Sequence, residues 1–258
     1  MKWPLSFRMI RHDVSAYNVL KAAKQVDPDY QRFLIAFESE PESEETRWLA
    51  QGIARKFSLG VSDQDTPLVE SPENEQRAIL TAERLRESGE LPDVIFLSPY
   101  KRIRKTFERL CKGWPALADV RIVIDERIRE HEHGIITLYN DWRVFHALHP
   151  EQAKYYNLQG RYWYRYPQGE NVPDVRLRNG LWLGALVRDF AGHHVWAITH
   201  HLNILAARAN LERLDDEAFI HLDEKEKPIN LGVTTYRGDP TQGKNGHLVL
   251  ESYNQALY

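Results

Sequence analysis

Short apolar runs that end at polar or turn residues recur along this chain. Runs of this length are typical of buried strands, and they cover residues 5–11, 94–97, 120–124, 195–198, 231–236 and 247–251. Other segments carry apolar side chains at helical spacing, over residues 73–87, 102–110, 176–190 and 202–213. Because strands alternate with helices, the pattern predicts an α/β fold, a three-layer sandwich whose mainly parallel central sheet is flanked by helices.

Two segments stand apart from this alternation. Residues 15–57 are polar and mostly helical in pattern, and their acidic run 38–45 is typical of a solvated loop and helix start. Residues 137–167 interleave aromatic side chains with arginine and lysine. We favour packing of these aromatics on one another, then a lid over the ligand site, and only third a nucleic-acid surface. We expect one domain over residues 1–258, with an aromatic-rich insert at 137–167.

Basic and imidazole side chains follow three of the predicted strands. Arg11 and His12 come at the end of the first strand. Arg102 comes shortly after the strand at 94–97, and His200 follows the strand at 195–198. In an open α/β sheet, the carboxyl ends of the strands form the ligand crevice. Two arginines and two histidines would therefore share one crevice, and this set suits phosphate chemistry.

Each of these side chains has a plausible part in phosphoryl transfer. A neutral imidazole can attack phosphorus and hold the phosphoryl group covalently, so His12 is the candidate nucleophile. The charges of Arg11 and Arg102 would lower the pKa of His12, and their guanidinium groups can bind phosphoryl oxygens in bidentate fashion. His200 would donate a hydrogen bond to the same oxygens.

The ester oxygen that leaves needs a proton, and Glu130 is the candidate donor. A neighbouring phosphate dianion would raise the pKa of this carboxyl, so that it could hold a proton at neutral pH. The same carboxylate could then activate water against the phosphohistidine. Taken without any wider context, an ordinary surface carboxylate is the simpler explanation of Glu130.

Histidines close to glutamates also raise the question of a metal site, as at His131 and His133 or at His200 and His201. No spacing among them matches a recognised zinc pattern such as His-Glu-x-x-His. Adjacent residues on a strand also point to opposite faces. We therefore expect no metal and no other cofactor.

Composition narrows the class of protein. A net charge of −3 over 258 residues gives no electrostatic footprint for nucleic acid. The lone cysteine, Cys111, excludes an intrachain disulfide framework and fits a reducing compartment. Arg8 and Arg11 interrupt the N-terminal apolar residues, so we expect no signal peptide and no membrane span. We expect a cytoplasmic protein whose partner is a small-molecule phosphate ester, not nucleic acid or membrane, and the sequence leaves its oligomeric state open.

Several short motifs follow one another in a recognisable order. Residues 11–18 read Arg-His-Asp-Val-Ser-Ala-Tyr-Asn, close to Arg-His-Gly-Glu-Ser-x-x-Asn, and residues 98–106 match Ser-Pro-x-x-Arg-x-x-x-Thr. Further matches are Asp65-Thr66-Pro67-Leu68, Gln76-Arg77-Ala78, Glu130 with Gly134, Pro167-Gln168-Gly169-Glu170-Asn171, Thr199-His200 and the segment Asn230 to Val233. Together they resemble the histidine phosphatase superfamily, also called phosphoglycerate-mutase-like, except over residues 19–64 and 137–165.

The resemblance implies a role for each matched position. His12 would be the nucleophile that becomes phosphohistidine, and Glu130 would be the proton donor. The other phosphate-pocket and substrate-binding residues would be Arg11, Arg102, His200, Asn18 and Glu170. A metal-independent phosphatase is favoured, because no arginine-rich mutase segment follows Glu130. A phosphoglycerate-mutase-type transfer and a catalytically impaired phosphate-binding protein stay open as alternatives.

Four positions depart from the family pattern. Asp13 stands where the family has glycine, and a carboxylate turned toward the site would repel phosphate. We therefore expect Asp13 to point away, or Arg8 or another cation to offset it. Val14, Asn171 and His201 stand where the family has glutamate, serine and glycine. These changes bear on substrate identity and turnover more than on the fold.

Overall fold

The computed structural model of the protein describes residues 2–258, and six strands form one sheet. In chain order they are β1 Ser6–Arg11, β2 Val94–Leu97, β3 Arg121–Ile124, β4 His194–Thr199, β5 Val233–Asp239 and β6 His247–Gln255. Their order across the sheet is β3-β2-β4-β1-β5-β6. The first four strands are parallel, and β5 and β6 add antiparallel pairs at one edge. The predicted α/β fold with a mainly parallel sheet is confirmed.

Ten α-helices lie within residues 2–258, and none of them combines the length and apolar character needed to cross a membrane. Several begin at side-chain caps, such as Ser43, whose side chain accepts the Thr46 N–H. In chain order they are α1 Ala16–Gln25, α2 Pro28–Ser39, α3 Glu44–Lys56, α4 Pro72–Glu87, α5 Lys101–Gly113, α6 Trp142–Leu148, α7 Pro150–Trp163, α8 Val172–Asp189, α9 His201–Glu212 and α10 Asp216–Lys225.

Side chains of the sheet alternate between two faces, and helices cover both. Phe7 of β1 packs with Trp182 of α8 in the core on one face. Ile10 of the same strand packs with Leu85 of α4 and Ile103 of α5 on the other. A strand that is buried on both faces is mostly apolar, which explains continuous apolar runs such as that of β2. The predicted three layers are confirmed.

The chain separates into two compact units. The sheet unit contains the residues up to Val14 and the segments 67–130 and 174–258. The helical unit contains the segments 15–66 and 131–173. The helical unit therefore contains both segments that the family resemblance leaves unexplained, 19–64 and 137–165.

The helical unit has its own core and a cluster of rings. Tyr30 and Phe33 of α2 pack with Ile53 of α3 in that core. In the cluster, the rings of Trp142 and Tyr156 stack with centroids 5.9 Å apart. The predicted packing of aromatic side chains on one another is confirmed. A single domain with this segment as a lid stays a prediction.

Register aligns the carboxyl ends of the three parallel strands β1, β2 and β4. Arg11 of β1 pairs with Thr199 of β4, and Leu97 of β2 pairs with Ile198 of β4. The residues that follow these strands therefore leave the sheet side by side. The candidate site lies at these carboxyl ends.

Candidate active site

His12 follows β1 and is 3% exposed. Its Nδ1 lies 2.6 Å from the carbonyl oxygen of Asp13. Because a carbonyl only accepts hydrogen bonds, Nδ1 must carry the proton. The neutral ring therefore has its lone pair on Nε2. The amide Nδ2 of Asn230 donates to the carbonyl oxygens of both His12 and Asp13, which fixes this turn.

The surroundings of His12 favour the uncharged imidazole. Burial is the main cause that holds the pKa of His12 well below its ordinary value of 6.5, and the charges of Arg102 and Arg11 add to it. The backbone hydrogen bond to Asp13 opposes these effects. At neutral pH the ring is therefore neutral and able to act as a nucleophile.

His200 lies beside His12, with ring centroids 5.3 Å apart. It is fully buried at the junction of β4 and α9, and its Nε2 lies 2.7 Å from the Ser98 Oγ. Its Nδ1 has no hydrogen-bond partner among residues 2–258. Burial, followed by the charge of Arg102, holds the pKa of His200 well below its ordinary value. This ring is therefore also neutral at neutral pH.

The two predicted arginines also lie at the carboxyl ends of these strands. The guanidinium carbon of Arg102, in the first turn of α5, is 4.7 Å from the centroid of the Tyr100 ring. That ring is 4.8 Å from the ring of His200. Arg11 donates from its NH1 to the Pro228 carbonyl at 2.6 Å, while its buried Nε has no partner within residues 2–258. The two cations and the two imidazoles thus form one group.

Glu130 is held by the first turn of α9 and by a buried arginine. Its Oε1 accepts the Leu202 N–H at 3.2 Å, one of the helix-end donors that have no partner within the helix. Arg178 of α8 donates to the backbone carbonyls of Arg127, Arg129 and Glu130. The carboxylate of Glu130 is close enough to Arg11 to oppose the lowering of that group's pKa by burial.

Asp13 forms a buried ion pair with Arg109. Its Oδ2 accepts from the Arg109 NH1 at 2.6 Å, and its Oδ1 accepts the Val14 N–H at 2.7 Å. Burial raises the pKa of Asp13, and both of these contacts oppose that rise. The expectation that a cation offsets Asp13 is confirmed. That cation is Arg109, whereas Arg8 pairs with Glu90.

The remaining two predicted residues lie in the helical unit. Asn18 is the third residue of α1, and its side chain accepts the Ser15 N–H while Ser15 caps the helix. The Oε2 of Glu170 accepts the Glu132 N–H at 3.0 Å. The carbonyl of Glu170 accepts from the His131 Nε2 at 2.6 Å. The Asn18 contact fixes the start of α1, and the Glu170 contacts join two distant segments of the helical unit. A role for Asn18 or Glu170 at a substrate stays a prediction.

Sequence reasoning missed three residues that shape this site: Arg109, Arg178 and Tyr100. Arg109 lies seven residues after Arg102, so helical spacing places both on the same face of α5. That spacing could have identified the partner of Asp13. No comparable signal marks Arg178, because its acceptors are carbonyls about fifty residues earlier. Tyr100 is part of the matched motif, but its place against His200 depends on the fold.

The histidine, cysteine, aspartate and glutamate side chains are the groups that could hold a metal ion. Within the described part of the chain, residues 2–258, no three or more histidine, cysteine, aspartate or glutamate residues gather as a metal site would require. His201, which stands where the family has glycine, instead lies 2.7 Å from Asp223 through its Nε2.

Comparison with known protein families gives one match over most of the chain. A model of the histidine phosphatase superfamily (branch 1) matches residues 45–242. The matched segment contains Arg102, Glu130 and His200, and it starts beyond Arg11 and His12. The phosphoglycerate mutase-like protein AT74H of Arabidopsis thaliana is 27% identical over 187 residues, or 72% of this chain and 54% of that protein. The chain thus spans about half the length of this relative.

Solved structures of similar fold include two phosphatases. The mycobacterial glucosyl-3-phosphoglycerate phosphatase is 18% identical with a TM-score of 0.59, covering 97% of this chain and 99% of its own. The phosphoserine phosphatase of Entamoeba histolytica, solved with 3-phosphoglyceric acid, is 17% identical with a TM-score of 0.61, covering 97% and 96%. At these identities the similarity shows the fold.

Proposed function

We propose that this chain, which belongs to the histidine phosphatase superfamily, hydrolyses a small phosphorylated metabolite through a phosphohistidine on His12. The observation that carries the proposal is the state of His12 itself. Its hydrogen bond to a carbonyl leaves the lone pair on Nε2, and its surroundings hold its pKa well below the ordinary value. A buried imidazole kept neutral beside two cations is suited to attack an anionic phosphoryl group.

In the first step, the Nε2 of His12 forms a bond to phosphorus as the bond from phosphorus to the ester oxygen breaks. The leaving oxygen takes the proton of the Glu130 carboxyl and departs as an alcohol. His12 then carries the phosphoryl group on Nε2 and keeps its proton on Nδ1. The carbonyl of Asp13 stabilises the positive charge that the ring gains, because it accepts that proton's hydrogen bond.

In the second step, water attacks phosphorus from the side opposite Nε2. The Glu130 carboxylate takes a proton from this water, the bond between nitrogen and phosphorus breaks, and inorganic phosphate leaves. His12 and Glu130 return to their starting protonation states. The two reaction steps balance with the ester and water alone, so the proposal calls for no metal or cofactor.

Charge on the phosphoryl oxygens would be balanced by three side chains. Arg11 and Arg102 supply two guanidinium groups, and transfer of a phosphoryl group depends mainly on such positioning and electrostatics. His200 supplies a hydrogen-bond donor if its Nε2 accepts from Ser98, because the proton then sits on Nδ1. The buried Nδ1 that lacks a protein partner supports this assignment.

The names of the structural relatives support a small metabolite as the substrate class. One is a phosphatase of glucosyl-3-phosphoglycerate and another a phosphoserine phosphatase. A phosphoglycerate-mutase-type transfer is the second candidate, favoured by the name of the Arabidopsis relative. A requirement for a bisphosphorylated primer, together with phosphoryl return to the substrate instead of release of phosphate, would favour the mutase.

The proposed function is tested with an aryl phosphate and a trapping experiment. The His12→Ala variant should lose turnover by at least about 1,000-fold, as expected for removal of a nucleophile. The matched control is His193→Ala, because His193 is an exposed histidine of the same sheet unit. Rapid acid-free quenching of the wild type should trap a base-stable, acid-labile phosphate on residue 12. Turnover that survives His12→Ala would reject the mechanism, and turnover lost to a chelator would point to metal chemistry instead.

A further inference from the structure

Every polar group of Asp13 has a partner within the sheet unit. Its carboxylate accepts from Arg109 and from the Val14 N–H. Its own N–H donates to the Thr106 Oγ1 at 3.0 Å. Its carbonyl accepts the Nδ1–H of His12. The residue next to the nucleophile is therefore fixed at all of its hydrogen-bonding atoms.

Two of these contacts come from one face of α5. Arg102, Thr106 and Arg109 are four and seven residues apart along the helix, so they lie on the same side of it. The Thr106 hydroxyl also donates to the Arg102 carbonyl at 2.7 Å. The helix that carries the candidate phosphate ligand Arg102 thus also holds the turn after His12.

Arg109 is itself placed so that it serves Asp13 and not a substrate. It is 2% exposed, and its NH2 donates to the Val69 carbonyl at 2.9 Å and to the Glu70 carboxylate at 3.1 Å. A guanidinium group with these partners is committed to the loop. Its charge offsets a carboxylate that would otherwise lie unpaired one residue from the nucleophile, where it would favour the imidazolium form of His12.

We propose that the Asp13–Arg109 ion pair is a positioning device for His12. The pair holds the Asp13 carbonyl against the ring Nδ1 and cancels a charge that would disfavour the nucleophilic form. This inference deepens the proposed function and rests on it. Neither member touches the reacting atoms, so both are positioning residues. Glycine, the family residue at position 13, has no side chain that could pair with Arg109. The positioning role therefore depends on Asp13, one of the departures from the family pattern.

The inference is tested by reading the protonation of His12 directly. We would label the histidines with ¹⁵N and follow the His12 ring by NMR across pH in the wild type, Asp13→Asn, Arg109→Met and the double variant. The charged groups that act on this ring are Arg11, Arg102 and His201, and they are the same in all four proteins. The matched control is Arg8→Met, because Arg8 is also buried and paired with a carboxylate.

The two single variants should move the His12 pKa in opposite directions. Arg109→Met leaves the Asp13 carboxylate uncompensated, which should raise the pKa of His12 by about 1. Asp13→Asn removes the buried carboxylate partner and leaves Arg109 with only the exposed Glu70 carboxylate, which should lower the pKa of His12. The double variant should return it toward the wild-type value, and Arg8→Met should leave it unchanged. A role in general stability alone would not produce shifts of opposite sign.

Turnover gives the second readout. Arg109→Met should lower kcat on an aryl phosphate by about 10-fold to 100-fold with a smaller change in KM, because slight misplacement of a reacting group is costly. The double variant should recover part of that loss. If Arg109→Met does not fold, the direction of the Asp13→Asn shift decides the question.

Two results would overturn the inference. One is an unchanged His12 titration in both single variants, and the other is a double variant that loses as much as the sum of the singles. Failure of the proposed function looks different, because the wild type would then form no phosphohistidine. The NMR titration needs no turnover and therefore judges the ion pair separately.

Discussion

Acid should weaken the helical unit through His146, a buried imidazole of α6. The side chain is 3% exposed and its ring lies 4.9 Å from that of Tyr156 and 5.5 Å from that of Trp142. Its Nε2 has no hydrogen-bond partner among residues 2–258. Burial lowers the pKa of His146 from 6.5 to about 4. The folded protein therefore resists protonation of this ring.

The sign and size of the effect follow from linkage. Above pH 6.5 the ring is neutral in both folded and unfolded chains, so its stabilising contribution is fully present. As pH falls from 6.5 toward about 4, only the unfolded chain takes up the proton, and the free energy of unfolding decreases. A pKa difference of about 2.5 corresponds to a loss of about 3 kcal/mol at most.

The assay compares the slopes of stability against pH. Urea unfolding of the wild type and of His146→Leu would be followed by far-UV circular dichroism at several pH values between 7.5 and 4, chosen to bracket about 2.5 pH units of the transition. His12 and His200 contribute to both slopes and cancel in the comparison. The control is His221→Leu, which removes an exposed histidine. Parallel loss of stability in wild type and His146→Leu would refute the reasoning.

Three further predictions concern the site and the helical unit. Arg178→Met removes the donors to the carbonyls around Glu130, so kcat on an aryl phosphate should fall by about 10-fold while KM changes little. Lys24→Met leaves the buried Asp141 carboxylate without its ammonium partner at 2.7 Å. The free energy of unfolding in urea should therefore fall by about 3–5 kcal/mol, and the double variant Lys24→Met/Asp141→Leu should restore part of it. The acid limb of kcat/KM should lie well below pH 6.5, because only the neutral His12 can attack; a limb at or above that value would contradict it.

The sequence predicted the inner strands β2 and β4 well because they are buried on both faces. Such strands are mostly apolar, and β2 and β4 were located to within a residue or two. Helix α10, Asp216–Lys225, was not predicted. Only Phe219, Leu222 and Asp223 of it are buried. A short helix with so few buried positions has little periodicity to detect.

The candidate site was predictable where chemistry follows a strand end and not where it depends on distant partners. His12 and His200 follow paired strands, so adjacency could be inferred from topology alone. The need for a cation at Asp13 could also be inferred, but Arg109 as that cation depends on which face of α5 meets the loop. Asn18 forms a capping box with Ser15, which its place in the motif did not indicate, and its expected role at phosphate stays a prediction.

The position of β1 has a consequence for how the protein is made. This first strand lies between β4 and β5, and Ser6 contacts His194, a residue 188 positions later. During synthesis the strand leaves the ribosome long before either neighbour exists. Its apolar side chains therefore stay exposed until most of the chain has been synthesised. Nascent chains in this state depend on chaperones to avoid aggregation.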